Sequence, residues 1–343
     1  MSIDISIFLD SNIQFNWLNE GNSYSLGSSS LTFYDSVKRS TKSINVKISH
    51  INIIEKVKGF ARNKDKKVTL KDLNAEDFND AFNDFMNSDF INTALSLGSK
   101  ITFIDLFSEN PTASEFNIEP MLKDHRNFIY NHAKAIGSIS EIFLDLNIEG
   151  KKLGEYKRGQ FKSLIESKFP QIDSNLTSEE LEIQKCIYAN NFYTKDLLLD
   201  NPDLLLEISN QGMPITLHDV GGFIHFLVHV FMSEKEKKIN QKDMENILCD
   251  YLLLRTAQVY NGMLFTFDEG LYYRSVQHLY LESLRSSHEA QDESESIGFC
   301  DIRFINQKNI FGNLRNGNLN IVRVSSGLYD YGKNLNREKL KFK

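Results

Sequence analysis

The chain has 343 residues, of which 41% are hydrophobic and 25% are charged, and its formal net charge is −7. This composition predicts a globular protein with more than one subdomain, and the negative charge excludes a protein that coats nucleic acid through a global positive field. Three cysteines without paired spacing exclude a disulfide framework or a zinc knuckle and favour a reducing, cytoplasmic location. We expect no secretion signal, because the N-terminus has no basic region followed by an apolar run and a small-residue cleavage site. We expect no membrane role, because the longest apolar stretch, 221–232, is too short to span a bilayer.

The first 60 residues alternate apolar runs with helical segments. Residues 5–9 form a compact apolar run that ends on Asp10, and residues 44–48 form a second one. Apolar runs without alternation are typical of parallel strands that are covered on both faces. Ser49 then caps a predicted helix that carries Glu55 about one turn inside. This β-α-β-α pattern predicts a parallel sheet with right-handed crossovers, and ligand chemistry gathers at the carboxyl edge of such sheets.

The middle of the chain has a different, mostly helical character. A stripe of phenylalanines at 78, 82 and 85 follows a predicted helix cap at Asn74. Residues 101–107 predict either a strand or a turn of buried helix, because periodicity does not decide between them. The predicted division of the chain is a core formed by 1–60 and 240–290, a helical insertion at 61–239, and a small C-terminal β unit with a basic tail at 297–343.

The lengths of two predicted elements within residues 250–268 indicate that two acids meet. They predict a helix that begins on Asp250 and stops before Gly262, followed by a short strand that ends on Asp268. The helix advances about 17 Å and the strand returns about 17 Å, so antiparallel packing brings both carboxylates to one edge of the sheet. Asp10 and Glu55 reach that edge as well. Carboxylates at one edge repel each other unless a cation is present, and Mg²⁺ prefers oxygen ligands.

Three segments of the sequence resemble the PIN domain, a family of metal-dependent nucleases. Leu9-Asp10-Ser11-Asn12 resembles the opening strand motif of the family, and residues 49–55 resemble the segment that carries its second acid. Residues 250–268, ending in Thr266-Phe267-Asp268, resemble the segment of its third and fourth acids. The middle of the chain is closer to the larger PIN-like proteins, which carry a long insertion. The resemblance implies a three-layer α/β/α core with a parallel sheet.

The resemblance also implies a ribonuclease that depends on Mg²⁺ or Mn²⁺. Its catalytic and metal-binding residues would be the four acids Asp10, Glu55, Asp250 and Asp268. The first and last would be direct ligands, and the other two would bind directly or through water. Asn12 and Thr266 would orient the ligands. Asp243 lies on the same helical face as Asp250 and is either a supplementary acid or, about twice as often, a surface charge.

Basic side chains near the predicted cleft are candidate contacts for substrate phosphate. These are Lys56, Lys58, Arg62 and Arg255. Two further basic runs, 151–162 and 337–343, are typical of solvated helix faces. Gly270 stands where many PIN proteins have another Asp, so the choice between one and two metal ions stays open.

The resemblance implies an RNA substrate, such as tRNA, and a role as a toxin or phage-defence effector, while mRNA, single-stranded DNA and flap structures stay open as substrates. Its partner would then be an inhibitor (antitoxin) or a defence-complex protein, and homo-oligomerisation stays open. One alternative is a non-catalytic PIN-like protein that uses the insertion as an interaction surface. Another is a His-Asp phosphohydrolase centred on His218 and Asp219, with His225 and His229 on the same helical face, although the apolar neighbours favour buried histidines.

Overall fold

The structure is a computed structural model. It describes residues 5–11, 24–26, 29–31, 44–64, 68–88, 91, 101–104, 115–116, 125–168, 197–213, 215–231, 237–260, 262–266, 268, 271, 275, 278–279 and 301–304. Asn12 and the predicted C-terminal unit at 297–343, except for residues 301–304, lie outside the described residues.

Strands and helices alternate along the first part of the chain, and helices dominate the second. The strands are β1 (Ile5–Leu9), β2 (Tyr24–Leu26), β3 (Ser29–Leu31), β4 (Ile44–Ser49), β5 (Ile101–Ile104), β6 (Glu115–Phe116), β7 (Asn147–Ile148), β8 (Lys151–Lys152), β9 (Met263–Thr266) and β10 (Asp301–Phe304). The helices are α1 (His50–Lys64), α2 (Ala75–Met86), α3 (Arg126–Asp145), α4 (Arg158–Lys168), α5 (Leu204–Ser209), α6 (Leu217–Phe231) and α7 (Gln241–Val259).

A six-stranded sheet with the order β10-β9-β1-β4-β5-β6 forms the centre of the α/β fold. Strand β1 pairs in parallel with β4 on one side and with β9 on the other, so that Ile7 lies opposite both Val46 and Met263. Strands β5 and β10 extend the parallel arrangement on the two sides, and β6 runs antiparallel to β5. The predicted parallel α/β sheet is therefore confirmed.

The order of these strands creates a switch point beside β1. The chain leaves β1 for β4 and β5 on one side and returns much later to β9 and β10 on the other. In open α/β sheets, ligands bind in the crevice outside the carboxyl ends of the strands at such a reversal. Asp10 follows the carboxyl end of β1 directly, and Asp268 lies two residues beyond β9. The topology thus places both acids near this reversal.

Helix α2 begins at the predicted cap and buries the predicted phenylalanines. The Asn74 side chain accepts a hydrogen bond from the Asp77 amide at the start of α2. The buried face of α2 consists of Phe78, Phe82 and Phe85 together with an alanine. Phe85 lies 6.4 Å, between ring centroids, from Phe60 of α1.

The chain divides into two compact units. The first comprises 1–134, 252–272 and 298–323, and the second comprises 135–251, 273–297 and 324–343. Residues 61–134, predicted as part of the insertion, thus belong to the unit that contains the sheet. The reason is that β5 extends the sheet beside β4, and α2 packs on α1.

Three local predictions change in detail. The ambiguous segment at 101–107 contains strand β5. Residues 301–304, predicted as part of a separate C-terminal β unit, form β10 and pair with β9 of the main sheet. The predicted start of a helix at Asp250 is wrong, because α7 already begins at Gln241, where the Asn240 side chain accepts a hydrogen bond from the Asp243 amide.

The second unit is mainly helical where it is described. Aromatic contacts join its helices, with Phe143 of α3 lying 4.6 Å from Phe223 of α6 between ring centroids. Phe223 lies 5.5 Å from Tyr251 of α7. Within the described part of the chain, no helix combines the length and the apolar character that crossing a membrane requires.

Candidate active site

Asp10 is a buried carboxylate held at the carboxyl end of β1. Only 6% of the residue is exposed. Thr266, which is 0% exposed at the end of the neighbouring strand, donates a hydrogen bond of 2.6 Å from its hydroxyl to Asp10 Oδ2. The parallel register explains this contact, because Leu9 lies opposite Phe265 and the next pair along the strands is Asp10 and Thr266. Thr266 therefore orients Asp10, which is the role that the resemblance implies for it.

Glu55, on α1, contacts Ser11, the residue that follows Asp10. The Ser11 hydroxyl donates a hydrogen bond to the Glu55 carboxylate. Burial raises the pKa of Glu55 to about 7, and the negative charge of Asp10 adds to this rise. The Ser11 hydrogen bond and the positive charges of Lys58 and Lys56 oppose it. Asp10 and Glu55 are thus close enough to interact electrostatically, as the sequence predicts for two acids at one strand edge.

Asn52 clamps α1 onto the end of β1, and sequence reasoning did not assign it a role. Its amide nitrogen donates to the Leu9 carbonyl at 3.0 Å and to the Ser11 hydroxyl at 3.4 Å. Its amide oxygen accepts from the Ser49 amide at 3.1 Å. The signal in the sequence was the Ser-x-x-Asn spacing at a helix start, which is more commonly a local cap. Here the cap side chain also reaches a second strand.

Lys56 also forms a hydrogen bond with Ser11, just beyond the end of β1. The residue is 1% exposed, and its Nζ donates to the Ser11 carbonyl at 2.7 Å. Burial lowers the pKa of Lys56 well below its usual value, against the pull of Glu55 and Asp10. The sequence predicts that Lys56 contacts a substrate phosphate. In the structure its side chain is instead directed at the backbone carbonyl of Ser11.

The other predicted phosphate contacts differ in their accessibility. Lys58 is 2% exposed, whereas Arg62 and Arg255 are partly exposed. The Nε of Arg62 donates to the Val68 carbonyl at 3.2 Å. Direct contact with a substrate phosphate stays a prediction for the two arginines and is disfavoured for Lys58 by its burial.

Asp268 is exposed and is linked to Asp10 through Thr266. Its backbone amide donates to the Thr266 hydroxyl at 2.9 Å, which is the same hydroxyl that donates to Asp10. One carboxylate oxygen of Asp268 accepts the Leu271 amide at 3.1 Å, as a helix cap does. The Thr-x-Asp ending of the segment therefore connects two of the predicted acids through a single hydroxyl.

The remaining predicted acids lie in the second unit. Asp250 is on α7 within that unit, and its meeting with the other three acids stays a prediction. Asp243, in the first turn of α7, forms an ion pair of 2.9 Å with Lys237. This pairing favours the surface-charge interpretation of Asp243.

Asp219, the acid of the alternative histidine centre, has a structural role in the fold. Both the amide and the hydroxyl of Thr216 donate to Asp219 Oδ2, at 3.0 and 2.6 Å, so Asp219 completes a capping box at the start of α6. His225 is 3% exposed among apolar residues of the same helix. These contacts favour the structural interpretation of the histidine-rich helix.

The donor chemistry of the Asp10 and Glu55 pair fits a hard divalent cation. Among the residues that the structure describes, no three acidic, histidine or cysteine side chains are grouped so that they could hold one metal ion. Mg²⁺, however, keeps several waters and is commonly bound through one or two carboxylates together with substrate phosphates. Two neighbouring carboxylates at the end of β1 meet that requirement.

Comparisons with known proteins add no relative. No protein family, no curated protein and no solved structure matches the chain.

Proposed function

We propose that this chain is a PIN-like nuclease that depends on Mg²⁺ or Mn²⁺ and hydrolyses phosphodiester bonds in RNA. The observation that carries the proposal is the meeting of Asp10 and Glu55 at the carboxyl end of β1, beside the switch point of the sheet. Thr266, at the end of β9, donates a hydrogen bond to Asp10, and Ser11, which follows β1, donates one to Glu55. Two carboxylates placed together repel each other when both are ionised, and a bound divalent cation would relieve that repulsion.

The residues of the chain have separable roles in this proposal. Asp10 and Glu55 bind the cation, and Asp268 and Asp250 are proposed to complete its ligands. Thr266 fixes the orientation of the Asp10 carboxylate. When bound, Mg²⁺ or Mn²⁺ supplies activation of the attacking water and neutralisation of charge on the phosphate. A role as a toxin or phage-defence effector acting on tRNA is part of the proposal and rests on the resemblance alone.

The proposal is tested by cleavage of labelled RNA with Mn²⁺, Mg²⁺ or a chelator. We expect Asp10→Asn and Glu55→Gln each to reduce metal-dependent cleavage by about 100-fold or more, since changing a residue that merely orients a ligand can cost 10–100-fold. The matched control is Asp145→Asn in the second unit, where the side chain is 56% exposed and pairs with Lys152. This control should cleave like the wild type.

Two outcomes would contradict the proposal. Full metal-dependent cleavage by both Asp10→Asn and Glu55→Gln would remove these acids from the mechanism. Cleavage by the wild type that does not exceed a variant lacking all four predicted acids would instead favour the non-catalytic binding protein. The buried Lys56, which places a positive group beside the acid pair, is the observation that favours that second function.

A further inference from the structure

One face of helix α1 holds the end of β1 and the two residues that follow it. Asn52 and Glu55 lie three positions apart on this helix, so their side chains share one side of it. Asn52 contacts Leu9 and Ser11, and Glu55 contacts Ser11. Asp10 lies between those two residues in the sequence. The same helix face therefore holds the stretch of chain that carries Asp10 and also supplies Glu55.

Both ends of the Asn52 side chain form hydrogen bonds, and these bonds fix which atom points where. Its amide oxygen accepts from the Ser49 amide at 3.1 Å and from the Ser49 hydroxyl at 3.2 Å. Its amide nitrogen donates to the Leu9 carbonyl at 3.0 Å and to the Ser11 hydroxyl at 3.4 Å. A reversed amide would set its oxygen against the Leu9 carbonyl, and two acceptors do not bond each other. Asn52 is therefore a donor toward Ser11.

The direction of the Ser11 hydroxyl follows from that contact. A serine hydroxyl has a single hydrogen, and the amide nitrogen of an asparagine accepts no hydrogen bond. The hydrogen of Ser11 is therefore available to the Glu55 carboxylate, to which it donates. That contact engages the Oε2 atom of Glu55, so Oε1 is the oxygen that is left for a cation. Asn52, Ser11 and Glu55 are thus linked by successive hydrogen bonds that set the rotation of the carboxylate.

These successive hydrogen bonds are shielded from water and favour the charged form of the carboxyl group. Asn52 is 0% exposed, and Ser11 is partly buried. Burial raises the pKa of Glu55, and the hydrogen bond from Ser11 opposes this rise because it favours the ionised form. A carboxyl group must be ionised to bind a metal ion. The contact from Ser11 therefore supports Glu55 as a ligand in both position and charge.

We propose that Asn52 is a positioning residue for the divalent cation and that it acts on Glu55 through Ser11. Its role rests on the proposed function, because Glu55 must be a ligand of the cation. A ligand that is held in its binding orientation before the cation arrives loses less freedom on binding, so the affinity is higher. Residues that orient metal ligands in this way contribute about 10–100-fold to metal affinity.

The test is a calorimetric titration of the full chain with Mn²⁺ in the absence of RNA, at about pH 8, where most of Glu55 is ionised. The Mn²⁺ site is defined as the binding that Asp10→Asn removes. We expect Asn52→Ala and Ser11→Ala each to weaken that binding by about 10-fold or more. The double variant should be about as weak as either single variant, because both changes break the same series of hydrogen bonds.

Ser49→Ala is the matched control for a purely structural role of Asn52. It removes the hydroxyl that bonds the Asn52 side-chain oxygen and the Asn52 backbone amide at the start of α1. The Ser49 amide still holds the Asn52 oxygen, so the contact with Ser11 is kept. This variant should lose stability to urea but bind Mn²⁺ as the wild type does. Equal weakening of Mn²⁺ binding by Ser49→Ala and Asn52→Ala would show that Asn52 serves only the helix start, and it would overturn the proposal.

The remaining outcomes separate the role of Asn52 from the proposed function. A double variant that binds about 100-fold more weakly, the product of two independent losses, would show that Asn52 does not act through Ser11. If Asn52→Ala does not fold, Ser11→Ala decides: unchanged affinity overturns the proposal, and binding weaker by about 10-fold supports it. If the wild type binds Mn²⁺ and neither variant weakens that binding, the cation site stands and the role of Asn52 fails. If the wild type binds Mn²⁺ no more strongly than Asp10→Asn does, the proposed cation site fails, and the role of Asn52 fails with it.

Discussion

The pH dependence of stability tests the environment of Glu55 without reference to activity. In the absence of metal, the folded-state pKa of about 7 lies above the ordinary value of 4.5. The folded chain therefore binds this proton more tightly than the unfolded chain does. The stability contributed by Glu55 is complete below about pH 4.5 and is lost as the pH rises through 7. At 1.36 kcal/mol for each pKa unit, the whole loss is about 3 kcal/mol.

Urea unfolding in chelator at pH 5.0 and pH 7.5 measures this loss. The wild type should lose about 2 kcal/mol more than Glu55→Gln between these two values, since most of the transition falls inside this interval. Other groups titrate in the same range, so the difference between the two proteins is the quantity that matters. Glu207→Gln, an exposed position on α5, is the matched control and should follow the wild type. Equal pH dependence in wild type and Glu55→Gln would refute the proposed environment of the carboxyl group.

Three further substitutions test the geometry around β1 by urea unfolding. Thr266→Val should cost about 2–4 kcal/mol, because it removes the hydroxyl that donates to Asp10 and accepts from the Asp268 amide. Thr266→Ser keeps the hydroxyl and should cost clearly less, and equal costs would argue against the contact. Gly262→Ala should cost about 1–3 kcal/mol, because the added Cβ would overlap the Phe8 ring. A neutral effect would contradict this packing. Asn52→Ala should cost about 2–4 kcal/mol by removing its buried hydrogen bonds to the Ser49 amide and the Leu9 carbonyl. A loss below 1 kcal/mol would show that the clamp between α1 and β1 is unimportant.

Local patterns in the sequence predicted the elements that lie close to the candidate site. The apolar run at 5–9 became β1 with the same bounds, and the Asn74 cap opened α2 as expected. These predictions depend on short-range physics: continuous apolar residues suit a strand covered on both faces, and a side chain that accepts a backbone amide fixes a helix start. The order of Asp10 and Glu55 after successive strands followed from the same reasoning.

Contacts between residues that are far apart in the sequence could not be predicted in the same way. Nothing within residues 301–304 indicates that they pair with β9, because a four-residue strand carries no information about its neighbour. The role of Asn52 depends on the Leu9 carbonyl, which is 43 positions earlier in the chain. The burial of Lys56 was missed because a lysine on a helix usually faces solvent. Each of these features arises from tertiary contacts that override local preference.

A crystal structure of the full chain grown with Mn²⁺ would show whether Asp10 and Glu55 bind one divalent cation. Anomalous scattering locates Mn²⁺ independently of any assay. We expect a peak at about 2.1 Å from carboxylate oxygens of both residues, a distance typical of hard divalent ions with oxygen ligands. The same map shows directly whether Asp250 and Asp268 reach that ion. If Mn²⁺ binds elsewhere on the chain and none lies between the carboxylates of Asp10 and Glu55, these two residues do not form the metal site.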